Sequence, residues 1–190
     1  KDELDTWLPA LLETKPVAVT IHARTRKEMS KVPARWERVK AAVEIRNDLV
    51  PEVLILGNGD VVDVADARRK VAETGADGAM LGRAIFGNPW LFSDLEKIKD
   101  SAVEGLTSDV MIYHNKPELE ERLWVMVEHT EAFEELLPHK NFAIMKKHYK
   151  AYVSGFNGAA ELRHELMEAP NAKVIKEIVE KFLAAYKAGL

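Results

Sequence analysis

The sequence predicts an α/β first half of parallel βα units, of barrel or doubly wound type, followed by an all-α helical bundle. Three observations predict it. Through about Lys99, short β-rich apolar runs alternate with helix patterns. Those runs are apolar throughout, as strands of a parallel sheet covered on both faces are. Beyond Lys99 every apolar stretch repeats at intervals of three and four. The boundary is set at 100/101, giving domains 1–100 and 101–190.

The elements follow in order. Leu4, Trp7, Leu8, Leu11 and Leu12 form one helical face, and Pro16 closes the turn before the strand run Val17–Ile21. A second helix carries Trp36, Val39, Ala42, Val43 and Ile45 inward, and Pro51 introduces the strand Val53–Leu56. Asp63 is placed to cap a third helix running to about Glu73, because a short carboxylate accepts from amides left unpaired at a helix start. Gly75-Ala76-Asp77 then turns into the strand Gly78–Leu81. After a polar connection around Asp100 to Lys116, four helical patterns follow. Leu119 to Leu137 is the first and Phe142 to Tyr152 the second; Gly155 to Gly158 breaks the chain before Ala159 to Met167, and Val174 to Tyr186 is the last.

Composition narrows the chemistry. The 190 residues are 47% hydrophobic and 31% charged, which fits a folded chain, and the net charge of −4 is too mild to advertise nucleic acid or membrane binding by itself. There is no cysteine, so disulfides, thiolate metal sites and a thiol acid or nucleophile are excluded within the chain. No apolar run approaches the roughly 20 residues that span a bilayer, and a cytoplasmic location is expected. The six histidines fall at no metal-ligand spacing, so no metal is expected. The first residue is Lys rather than Met and leads directly into a helix pattern, so an upstream portion is expected.

In parallel βα folds, chemistry gathers at the C-terminal ends of the strands. Here those ends read Thr20-Ile21-His22-Ala23-Arg24-Thr25-Arg26, Gly57-Asn58-Gly59-Asp60, and Gly82-Arg83 followed by Ala84 to Trp90. Glycines allow close backbone approach and positive φ, the Arg83 fork suits phosphate oxygens, and His22 adds a donor from the neighbouring strand. Singly, the glycines also read as tight turns and His22 as a hydrogen-bonded interior histidine. Together, on three successive strand ends, they point to an anion site.

The same ordered strings, with Gly87-Asn88-Pro89-Trp90-Leu91-Phe92, resemble the last three barrel strands of bacterial tRNA-dihydrouridine synthases. Met145-Lys146-Lys147-His148, Tyr152, Gly155, Gly158-Ala159-Ala160 and Leu162-Arg163 are similar to that family's C-terminal helical domain. The resemblance implies the last three βα units of a TIM (β/α)8 barrel, FMN as cofactor, NADPH as reductant, and saturation of the C5–C6 bond of uridine in tRNA. By the same resemblance His22, Asn58, Gly59, Asp60, Gly82 and Arg83 face the flavin, its ribityl chain and its phosphate. Arg24 is placed where a cation meets flavin or RNA, with a solvated or ion-paired arginine as the alternative. The family's catalytic cysteine has no counterpart here, so the isolated chain is expected to be inactive, and its open edges to favour self-association. Two rivals remain: a non-catalytic RNA-binding fragment, and another FMN barrel oxidoreductase of the dihydroorotate dehydrogenase type.

For RNA, the relevant stretch runs from Lys140 to Arg163, where Lys140, Lys146, Lys147, Lys150 and Arg163 face a single acid, Glu161. Lys146, Lys147, Lys150 and Arg163 are the candidates for tracking an RNA backbone; the alternative is a solvated helix face. Tyr149 and Tyr152 share the spacing of Phe142 and Met145 and are assigned to the core.

Overall fold

The computed structural model describes residues 3–92 and 117–189. The predicted polar connection at Asp100 to Lys116 and the predicted boundary at 100/101 lie outside the described residues. The chain forms two compact units: 3–85 with 90–92, and 86–89 with 117–189.

In the first unit the order is α1 (Leu4–Leu12), β1 (Ala18–His22), α2 (Trp36–Leu49), β2 (Leu54–Asn58), α3 (Val64–Thr74) and β3 (Gly78–Met80), followed by a 3-10 turn at Arg83–Ile85; a further 3-10 turn, Pro89–Phe92, spans the boundary at 89/90. The strands form a parallel sheet in the order β1-β2-β3. His22 pairs with Asn58 and Asn58 with Met80, so the three strand ends of the predicted site come side by side. As predicted, Asp63 caps α3, its carboxylate accepting from the Asp66 amide at 2.6 Å. Gly75 ends that helix at φ 73°, a left-handed turn that glycine adopts without steric cost.

The expectation that both sheet faces are covered is corrected. Burial in β1 alternates, with Val19 and Ile21 inside and Ala18, Thr20 and His22 outside. Leu54 of β2 and Met80 of β3 are also exposed. Right-handed crossovers that step in one direction across a sheet put their helices on the same side, so α2 and α3 serve a single face, and α1 packs against α2. Helix α1 also buries a narrower stripe than predicted: Leu4, Leu8 and Leu12, spaced by four, are buried, whereas Trp7 and Leu11 are exposed.

One buried cation ties this layer together. Arg46 of α2 donates through Nη1 to the Val53 carbonyl at 2.6 Å and to the Asp77 carboxylate at 2.8 Å, and Asp77 also accepts from the Ile55 amide at 2.7 Å.

The second unit packs α4 (Leu119–Leu136), α5 (Ala143–Tyr152), α6 (Ala159–Glu168) and α7 (Ala172–Lys187) around Leu123, Met126, Met145, Leu166, Ile175 and Val179. Tyr149 and Tyr152 are buried among them, as the spacing predicted. Asn171 caps α7, accepting from the Val174 amide at 3.0 Å. The segment 86–89 belongs to this unit: the Phe86 ring meets His148 edge-on at 5.3 Å between centroids, and Gly87 packs on the Ala151 backbone.

Candidate anion site at the strand ends

The site is organised by Asp60, just beyond β2. Gly59 at φ 125° and Asp60 at φ 50° turn the chain sharply, and both conformations favour residues that tolerate the left-handed region. The turn is fixed from below by Trp36, whose indole Nε1 donates to the Gly59 carbonyl at 2.7 Å. Lys70 of α3 supports it from the side, donating to the Asp60 carbonyl at 3.0 Å and to Asp66 at 2.6 Å.

The Asp60 carboxylate then meets two arginines. Oδ2 accepts from Arg24 Nη2 and from the Ala34 amide at 2.9 Å; Oδ1 accepts from Arg83 Nη2 at 2.9 Å. Hydrogen bonding from Arg24 is the largest influence on Asp60, and with its other partners it outweighs burial and lowers the pKa to about 2. The carboxylate is therefore ionised at neutral pH, and two guanidinium groups around one carboxylate leave a net positive cluster.

The arginines differ in freedom. The Arg24 side chain is 5% exposed and also donates through Nε to the Val32 carbonyl at 2.6 Å, so the ion-paired alternative for Arg24 is the arrangement observed. Arg83 is 67% exposed, with Gly82 beside it: a Cβ at Gly82 would meet no atom within 4 Å. That pairing presents an open backbone next to a guanidinium with unused donors, a donor set suited to a phosphate.

The glycines divide by role. Gly59 has positive φ, but Gly57 and Gly82 do not, which corrects the expectation of positive φ at all three. Gly57 is small because of Trp36: a Cβ there would lie 2.3 Å from the indole ring. Asn58 donates to the Met80 sulfur at 3.4 Å, a weak contact across the strand ends. His22 is exposed and borders Gly59, its Cε1 3.6 Å from where a Gly59 Cβ would stand.

His22 and Arg24 also line an open cleft of about 410 Å³ with Trp7, Arg26, Lys27, Arg35 and Arg38. Asn58, Asp60, Gly82 and Arg83 do not line it, so the sequence-predicted residues divide between two neighbouring surfaces. Trp36, Ala34 and Lys70 were missed as site residues. Only Lys70 left a trace in the sequence, its four-residue spacing from Asp66 on a helix.

In the helical unit the basic candidates also divide. Arg163 donates to the Val153 carbonyl at 2.8 Å, and Lys146 donates to the Met167 carbonyl, so each serves a helix C-terminus. Lys147 and Lys150 on α5 are exposed, and among the described residues neither forms an ion pair. No described group of three or more His, Asp or Glu side chains is arranged to hold a metal, and no described helix is long and apolar enough to cross a membrane.

Parallel βα units with a cationic, glycine-lined cluster at the strand ends, followed among the described residues by four helices, define the class: an α/β protein with a candidate anion site and a second, helical unit. A family model described as dihydrouridine synthase matches residues 16–187, and the chain belongs to that family. It is 33% identical over 189 residues to a "Probable tRNA-dihydrouridine synthase" of Staphylococcus epidermidis, covering 98% of this chain and 52% of that protein. It is 30% identical over 191 residues to "Probable tRNA-dihydrouridine synthase 2" of Bacillus subtilis, covering 100% and 53%. The chain spans about half the length of the curated relatives it matches.

Proposed function

We propose that this chain is the C-terminal portion of a tRNA-dihydrouridine synthase, contributing the last three βα units of a TIM barrel, the phosphate end of an FMN site, and a helical unit that holds tRNA. The observation that carries this reading is the exposed Arg83, set by Asp60 beside open Gly82 at the end of adjacent parallel strands. The residues fit the group. A phosphate dianion needs convergent donors and no facing carboxylate, and the carboxylate here is engaged by Arg24, Arg83 and the Ala34 amide.

In this reading Arg83 and the backbone at Gly82 hold the phosphate, the turn at Asn58, Gly59 and Asp60 borders the ribityl chain, and His22 stands at the flavin edge. The exposed sheet face carrying Thr20 and His22 is the side that a closed barrel would enclose. When bound, FMN would supply hydride chemistry, taking reducing equivalents from NADPH and delivering them to uracil. The proton for the other carbon needs a positioned acid, and with no cysteine in this chain a cysteine acid would be supplied from outside it. In this reading the exposed Lys147 and Lys150 of α5 meet RNA phosphates, while Lys146 and Arg163 donate to backbone carbonyls at helix ends.

The test uses the intact protein. FMN should be retained by the wild type and weakened by Arg83→Ala, and unmodified tRNA should gain dihydrouridine with NADPH. A protein that bound no FMN would sink the reading. For RNA, K147E/K150E should weaken tRNA binding and reduce its salt dependence by about one to two counterions, whereas Arg163→Ala should lower stability first. Unchanged tRNA affinity in the double variant would place the RNA surface elsewhere.

A further inference from the structure

Asp60 has a feature that ligand contact does not explain: both oxygens of its carboxylate are engaged by the protein. One oxygen is held from inside by Arg24 and the Ala34 amide, the other from outside by Arg83, and its own carbonyl is held by Lys70. Arg24 is anchored in turn by the Val32 carbonyl and is 5% exposed. The order is thus a buried arginine, a carboxylate and an exposed arginine, with side-chain exposure rising from 5% at Arg24 to 35% at Asp60 and 67% at Arg83. A long exposed arginine side chain loses substantial rotamer freedom when it binds an anion, and a fixed partner removes part of that cost beforehand.

We propose that Asp60 is a positioning residue, whose carboxylate holds the Arg83 guanidinium in place beside Gly82 so that the site selects a phosphate ester over the corresponding alcohol. It acts through Arg83 and touches no ligand with its side chain. The inference rests on the flavin-phosphate reading above and adds to it which side chain preorganises the phosphate donor. The chemistry of the neighbours supports this: a carboxylate facing a phosphate directly would repel it, whereas one turned onto two guanidiniums orders the donors and leaves the cluster cationic. The left-handed backbone at residue 60 suits the role, since Asp and Asn both tolerate φ 50° and Asp60→Asn therefore changes charge with little change in the turn.

The experiment compares FMN with riboflavin, which lacks the phosphate, by fluorescence titration of the intact protein. Wild type, D60N, R83A and D60N/R83A are measured at one ionic strength, with thermal unfolding as a check of folding. D60N should weaken FMN binding by roughly tenfold, the size of a lost charge-assisted hydrogen bond, and weaken riboflavin binding far less. In the R83A background D60N should cost nothing further. Equal loss of FMN and riboflavin in D60N, or full additivity with R83A, would overturn the proposal. Should D60N fail to fold, Arg24→Lys tests the same relay: it keeps the charge but cannot hold Val32 and Asp60 in one fork, and it should reproduce the FMN-selective loss. Retention of full FMN selectivity by that variant would count against the relay. A wild-type protein that bound FMN no better than riboflavin would remove the phosphate-site reading itself, and the proposal with it. A null result confined to the D60N and R24K comparisons would leave that reading standing.

Discussion

Arg46 and Asp77, thirty-one residues apart, meet at 2.8 Å beneath the N-terminal end of β2. Arg46 is 6% exposed at its side chain and also binds the Val53 carbonyl, while Asp77 accepts the Ile55 amide, so the pair bridges α2, β2 and the turn before β3. Removing one member of a largely buried pair strands the other charge. Asp77→Ala should destabilise the first unit by about 2–3 kcal/mol, somewhat below the usual cost for a fully buried pair because Asp77 keeps partial solvent access. Urea unfolding followed by circular dichroism measures it. A change under about 0.5 kcal/mol would mean that water replaces the carboxylate at no cost.

Gly57 answers to Trp36. An alanine there would put Cβ 2.3 Å from one indole carbon and 2.5 Å from another, forcing the ring to move and breaking its bond to the Gly59 carbonyl. Gly57→Ala should cost about 2–3 kcal/mol and loosen the turn that carries Asp60. The readouts are a lowered melting temperature and a shifted tryptophan emission maximum. Wild-type stability in this variant would show that the helix and strand separate freely.

Gly87 makes the corresponding contact in the helical unit. Its φ is 69°, and a Cβ would stand 2.6 Å from the Ala151 backbone carbon, an atom that cannot step aside as a side-chain tip would. Gly87→Ala should undock segment 86–89 from α5, at a cost of about 1–3 kcal/mol. Amide exchange should accelerate at 86–88 and at the C-terminal turn of α5, with the core of α4 and α7 unchanged. Unaltered exchange at 86–88 would refute the contact.

His129 and His148 make the second unit acid-sensitive. Their rings lie 5.3 Å apart, His129 shares a 3.1 Å hydrogen bond with the Tyr152 hydroxyl, and His148 packs on Phe86. Burial lowers both pKa values from the ordinary histidine range, and His148 is lowered further by His129 and Lys147. Each folded pKa lies below its unfolded value of about 6.5, so the unfolded chain binds more protons as the pH falls. The contribution is complete above that unfolded pKa and declines as the pH drops through the folded values. Denaturant unfolding at pH 7.5 and pH 5 should show the loss, and H148Q should reduce it. NMR titration placing both histidines at or above 6.5 would contradict the assignment.

The sequence by itself determined the local elements. Apolar periodicity located the strands and helices to within a residue or two, turn chemistry marked Asp63 as a cap, and spacing put Tyr149 and Tyr152 in the core. It also named the strand ends, because glycine, histidine and arginine directly after apolar runs stand out within a few residues. These signals are short-range, and a helix repeat or an N-cap is complete within one or two turns of chain. The tertiary structure decided what the side chains are used for. Only strand register brings Arg24 and Arg83 to opposite oxygens of Asp60, 36 and 23 residues away, or sets Trp36 under Gly57. Only the packing of α5 and α6 assigns Lys146 and Arg163 to helix ends while leaving Lys147 and Lys150 in solvent. The same arginine reads identically in sequence whether it grips a ligand, a carboxylate or a carbonyl. Its partner is fixed by three-dimensional proximity, which no window of neighbouring residues contains.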